Sequence, residues 1–140
     1  MEEEIYKVDF CSLYWNENLQ YVREEWRVVN CPFEEFKLLN FYLQEFCIKK
    51  QVKNLIIDTF AAISLLPETH HEWLENEFNI PFMERTGVEN IITIQPESLV
   101  TSISVNKFYD NIKSMSKKTR IMKMKSLDDV LKYLSLHYSP

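Results

Sequence analysis

Glycine is nearly absent from this chain: Gly87 is the only one among 140 residues. Phosphate-cradling loops and dinucleotide-binding turns need several glycines so that backbone N–H groups can approach an anion, and neither can be built here. Cysteine is scarce too. Cys11, Cys31 and Cys47 are an odd number without C-x-x-C spacing, which argues against a disulfide framework and against a zinc site. Reduced, half-buried thiols are expected. No apolar run approaches the roughly 20 residues of a spanning helix, and the start Met1-Glu2-Glu3-Glu4 is acidic where a secretory signal is basic. These absences predict a soluble cytoplasmic protein without a membrane span. Nucleophile-elbow, metal-cluster and paired-acid signatures are missing as well, so the expectation is no enzyme, no cofactor and no metal.

What is present is a core. With 46% apolar and 14% aromatic residues, the chain can bury one sizeable interior, and a single domain over 1–140 is expected, with 1–4 and 139–140 free to fray. The net charge of −5 is unevenly spread. Residues 1–106 carry 8 Lys/Arg against 18 Asp/Glu, a balance of −10, and residues 107–140 carry 8 against 3, a balance of +5. The basic cluster Lys107, Lys113, Lys117, Lys118, Arg120, Lys123, Lys125 reads as a solvated edge strand with its flanking turns. The acidic majority elsewhere speaks against nucleic acid as a partner.

Periodicity gives the elements. Tyr6–Trp15 and Leu19–Trp26 are rich in strand formers and flank Asn16-Glu17-Asn18, so an antiparallel hairpin is expected. Pro32 opens a helix whose Phe33, Phe36, Leu39, Leu43, Phe46 and Cys47 form one apolar face, ending at Lys49-Lys50. Val52–Asp58 and Val88–Ile94 each hold a continuous apolar stretch, the pattern of strands covered on both faces. Between them Pro67-Glu68 starts a helix that buries Trp73, Leu74 and Phe78. Pro81 should kink or restart it, and Gly87 should close it as a left-handed cap. Ser102 or Ser104 is the expected cap of a helix presenting Val105, Phe108, Tyr109, Ile112 and Met115. Arg120–Lys125 is a last strand with interleaved lysines. Ser126-Leu127-Asp128-Asp129 then opens a terminal helix on Leu127, Val130, Leu131 and Leu134. The predicted order is β-β-α-β-α-β-α-β-α: an α/β fold with a mixed five-stranded sheet, about four helices, and the last four strands parallel.

Four stretches, Val22-Arg23-Glu24-Glu25-Trp26, Asn54–Thr59, Pro67–Leu74 and Gly87–Ile92, together with Ser126–Leu134, resemble the STAS/SEC14-type, SpoIIAA-like single-domain proteins of bacteria, over nearly the whole chain. The resemblance implies a fold and a non-enzymatic regulatory or binding habit, and no reaction. Antagonist proteins of this type carry a phosphorylatable serine in an Asp-Ser-Ser-Gly-like stretch. Here the corresponding Ile63-Ser64-Leu65-Leu66-Pro67-Glu68-Thr69 lacks the glycine and the paired serines, leaving Ser64 and Thr69 as candidate modification positions.

Asp58, with Thr59 beside it, ends a strand at the edge where ligands of open α/β sheets gather. It reads as a cation-binding or phosphoacceptor carboxylate, or as an aspartate closing an Asx-type turn, with the turn favoured. His70-His71 cannot chelate one ion, since adjacent helical residues point about 100° apart, and His71 with Glu75 supplies too few ligands. An exposed helix face is expected there. Tyr14, Trp15 and Trp73 read as core. Aromatics on alternating faces of Tyr6–Trp15 make that hairpin the candidate for a homodimer interface. Cys31, near the positive end of a helix, is the one conceivable nucleophile and reads as a buried thiol. Two functional classes remain: a regulatory module acting through a protein partner, and a small apolar-ligand or lipid-binding protein with a pocket walled by helices 32–48 and 104–115.

Overall fold

The computed structural model describes residues 1–138. It holds one mixed sheet of six strands in sequential order: β1 (Glu3–Val8), β2 (Cys11–Asn16), β3 (Tyr21–Trp26), β4 (Asn54–Asp58), β5 (Asn90–Ile94) and β6 (Arg120–Met124). β1, β2 and β3 are antiparallel neighbours, and β3 through β6 run parallel. Leu55–Ile57 and Ile91–Thr93 lie side by side, in register, within the sheet. The sixth strand is a correction. Tyr6–Trp15 is not one strand but parts of two: a two-residue turn at Asp9-Phe10 folds β1 back antiparallel on β2, with Val8 opposite Cys11. At the amino terminus β1 begins at Glu3, and Glu2 accepts hydrogen bonds from Arg23 and Tyr21. The expectation for 139–140 lies outside the described residues.

Three crossovers cover one face. α1 (Phe33–Lys50) follows β3, the stretch α2 (Glu68–Trp73), a π-helical turn (Leu74–Phe78) and α3 (Asn79–Arg85) follow β4, and α4 (Leu99–Met115) follows β5. Their apolar stripes meet Leu13, Val22, Trp26, Leu55, Ile57 and Ile91 from the sheet in the main core. On the other face α5 (Leu127–Tyr138) sets Val130 and Leu134 against Tyr21, Ile56, Ile92 and Ile94. Period-two alternation explains the split, since neighbours along β4 and β5 point to opposite cores.

Local chemistry sets the helix ends. Pro81 removes a backbone donor and crowds the carbonyl four residues back. The chain answers with the π turn just ahead of it, where Asn79 N–H reaches Leu74 O, so that Pro81 falls in the first turn of α3. Gly87 does not form a left-handed cap. The residue after α3 is Thr86, in extended conformation, and Gly87 has no positive φ and open space where a Cβ would stand. The left-handed positions belong instead to Gln20, Gln51 and Ser64, with Gln51 closing α1 at φ 54°. Nor do Ser102 or Ser104 cap α4. Ser98 does, its Oγ accepting from Thr101 N at 3.2 Å, and the helix starts at Leu99. Ser126 caps α5 by accepting from Asp129 N at 3.2 Å.

The hairpin aromatics are engaged within the chain. Tyr6 packs on Tyr42 at 4.7 Å between ring centroids, Trp15 on Phe46 at 5.5 Å, and Arg23 lies 4.7 Å over the Tyr14 ring.

Candidate functional site

β4 ends at Asp58, and the two following loops bring the expected site residues to the carboxyl edge of the parallel strands without making one site of them. Asp58 Oδ1 accepts from Phe60 N at 3.1 Å, the Asx-type turn, and Oδ2 accepts from Arg23 Nη1 at 3.0 Å. Both oxygens are occupied. Arg23 is buried and also binds Glu2 through Nε and Nη2, at 2.8 and 2.9 Å, and Glu25 at 3.1 Å. Burial raises the Glu2 carboxyl, but hydrogen bonds from Arg23 and Tyr21 outweigh it and hold Glu2 below its ordinary value. Thr59 is buried and donates to Ile94 O at 2.7 Å. Ser64 accepts from Asn30 N at 3.0 Å, tying the loop to the exit of β3. Thr69 is the second residue of α2, its hydroxyl 3.0 Å from His70 Nδ1.

The histidines are not on an exposed face. Both are buried. His70 Nε2 lies 2.7 Å from the Cys31 carbonyl, which can only accept, so Nε2 carries the proton and Nδ1 accepts from Thr69. Phe33 and Phe36 flank the ring at 5.1 and 4.7 Å. Burial lowers the pKa of both histidines. The sequence pattern missed this because polar residues of α2 are turned inward, His70 onto Phe33 and Phe36 of α1. Among the described residues no group of three or more His, Cys, Asp or Glu could hold a metal ion. Cys11, Cys31 and Cys47 are free and fully buried rather than half-buried. Burial pushes all three thiols up, Cys31 to about 12, the opposite of an activated nucleophile.

Two features of the surface and interior stand out. The first is an apolar surface at the carboxyl edge. Phe60, Ile63, Leu65, Leu99, Val100 and Ile103 are all exposed, Leu99 at 85%. They sit on the loop after β4 and on the first turns of α4, which are stitched together. Thr101 Oγ1 donates to Ser64 O at 2.9 Å, Leu66 N donates to Ser104 Oγ at 2.8 Å, and Glu97 N to Phe60 O at 3.0 Å. Backbone pairing of Ile63 with Arg27 and Val29, both at 3.1 Å, anchors the same loop to the end of β3. Hydrogen bonds therefore tie together the backbone segments that carry these apolar side chains.

The second is a cavity of about 80 Å³ between the helix-covered face of the sheet and the helices. Phe36, Asn40 and Leu43 enter it from α1, and Ser104, Val105 and Phe108 from α4. Glu24 lines it from β3 and is buried. The Trp26 indole Nε1 donates to Glu24 Oε1 at 2.8 Å, and among the described residues no other hydrogen bond reaches that carboxyl. Burial pushes it up to about 7, with the Trp26 hydrogen bond opposing. A buried carboxyl without a countercharge is costly to ionise, and such groups gather at functional sites. Glu24 was legible as an anomaly: in Tyr21–Trp26 the alternation puts it on the face of Val22 and Trp26, an acid in an apolar row.

Comparison of the chain with protein-family models, with curated proteins and with solved structures finds no match.

Proposed function

We propose that the chain is a non-enzymatic regulatory or binding module of STAS-like fold, acting in the cytoplasm through a protein partner that docks on the apolar surface formed by Phe60, Ile63, Leu65, Leu99, Val100 and Ile103. The observation that carries this reading is the position of that surface. Ligands of open α/β sheets collect at the carboxyl ends of parallel strands, and a contiguous exposed apolar patch marks an interaction site rather than ordinary surface. Three reduced thiols fit a reducing compartment. The Leu99→Asp/Ile103→Asp double variant changes only exposed side chains and should fold as the wild type does. In affinity capture from the native cell, a partner retained stoichiometrically by the wild type should fall at least tenfold on the variant. Equal retention by both proteins would exclude this surface. Light scattering on the same pair separates a protein partner from a second copy, including one bound through the N-terminal hairpin, and sedimentation with vesicles separates it from a lipid surface.

A second reading has its own support. The cavity between α1, α4 and the sheet fits a small, largely apolar ligand, because concave apolar sites with a few converging polar groups are the usual form of such pockets.

A further inference from the structure

We propose that the cavity is a binding site for a compact organic cation, whose primary ammonium group sets against the Glu24 carboxylate and whose short hydrocarbon tail lies among the aromatic walls. The inference rests on the second reading above, that the cavity is a ligand site, and gives that ligand a chemical class.

Charge is the first ground. Glu24 is the one ionisable side chain on the cavity wall, with no Lys, Arg or His beside it. A buried carboxylate requires either a proton or a cation, and among the described residues lining the cavity none is a cation. The second ground is the hydrogen-bond inventory. Glu24 Oε2 accepts nothing from the described residues, the Thr59 hydroxyl is spent on Ile94 O, and Asn40 Nδ2 gives one of its two N–H groups to Phe36 O at 2.9 Å. Glu24 Oε2 is left as a charged acceptor without a donor, and an ammonium group brings three donors and no acceptor. Ring faces are the third. Trp26, Phe36, Phe78, Phe82 and Phe108 all line the cavity, and aromatic faces attract a cation most strongly where water is excluded.

Volume sets the size. About 80 Å³ is roughly half of the ~150 Å³ apolar cavity that accommodates benzene, so the ligand has roughly three to five heavy atoms. Leu66, Met83 and Phe108 line the cavity and are themselves only half-buried, which gives the ligand a short path from solvent.

Three probes of nearly equal size and different charge test this: n-propylammonium, 1-propanol and propionate, titrated at pH 8 and matched ionic strength. The reporter is the Trp26 indole N–H resonance, since that N–H already touches Glu24. Propylammonium should shift it saturably and bind at least tenfold tighter than propanol, and Glu24→Gln should bring the two within about twofold. Propanol and propylammonium binding equally well to the wild type would overturn the cation assignment while leaving the cavity a ligand site. Tightest binding by propionate would overturn it in the same way. If none of the three moves resonances of cavity residues, both the assignment and the ligand-site reading fall. Glu24→Gln keeps an oxygen to accept from Trp26, and should that variant not fold, the three probes on the wild type decide alone.

Discussion

Glu24 carries the largest consequence of any single side chain. Its carboxyl is raised from 4.5 to about 7 by burial, so the folded chain holds a proton that the unfolded chain releases. Stability from this group is fully present below pH 4.5 and is lost as pH rises through 7. At one pKa unit per 1.36 kcal/mol, the loss approaches about 3 kcal/mol. Glu24→Gln cannot titrate, so its stability relative to wild type should rise by up to that amount between pH 4.5 and pH 8.5. Urea unfolding of both proteins at several pH values measures it, and a difference that stays constant with pH would show that Glu24 is not buried as described. The buried histidines act with the opposite sign. The pKa of His70 is lowered by burial, so its contribution is present above 6.5 and is lost as pH falls below that value, where the unfolded chain takes up the proton first.

Helix ends show how far an element is fixed by its own residues. Three serines, Ser98, Ser102 and Ser104, crowd the start of α4, and sequence spacing alone favours Ser102 or Ser104, because the apolar period becomes regular at Val105. The cap falls at Ser98 instead. Leu99, Val100 and Ile103 are apolar but exposed, so the first turn of the helix has no buried stripe for periodicity to detect. Ser98→Ala should cost about 1 kcal/mol through the lost bond to Thr101 N–H. Ser102→Ala should stay within about 0.5 kcal/mol of wild type. Denaturation midpoints of the two variants make the comparison, and equal effects would count against the observed boundary. The same limit applies to Gly87. A glycine after a helix suggests a left-handed cap, but the helix before it ends on the Thr86 N–H and Oγ1 bonds to Phe82 O, at 3.1 and 2.8 Å, and needs none.

For the molecule as a whole, the sheet with helices on both faces buries all three thiols on different elements: Cys11 on β2, Cys47 on α1 and Cys31 just before it. Raised thiol pKa values and burial together should make native protein unreactive toward a disulfide reagent at pH 8. Modification of all three should then follow a single rate that tracks unfolding in urea. Fast modification of Cys31 alone would mean that the segment between β3 and α1 opens independently. A core deletion tests the sheet itself. Ile56 is fully buried against α5 with Ile92 as its neighbour in register, so Ile56→Ala should destabilise by about 2–5 kcal/mol in the same urea assay.

The sequence by itself determined what depends on local period and exclusion. Continuous apolar runs at Leu55–Ile57 and Ile91–Ile94 marked strands covered on both sides, prolines and capping residues bounded most helices, and a single glycine ruled out phosphate-binding loops. Tertiary structure decided everything that depends on which face meets which. It divided Tyr6–Trp15 into two strands, because the chain turns at Asp9-Phe10 and β1 pairs back on β2. It buried both histidines, His70 against Phe33 and Phe36 of α1, closed both oxygens of Asp58 with Arg23 and Phe60, and gathered a loop and a helix start into one apolar surface. It also turned Glu24 from an acid in a strand into the only charged group of a cavity, since that wall is assembled from β3, α1 and α4, segments that lie far apart in the chain and meet only on folding.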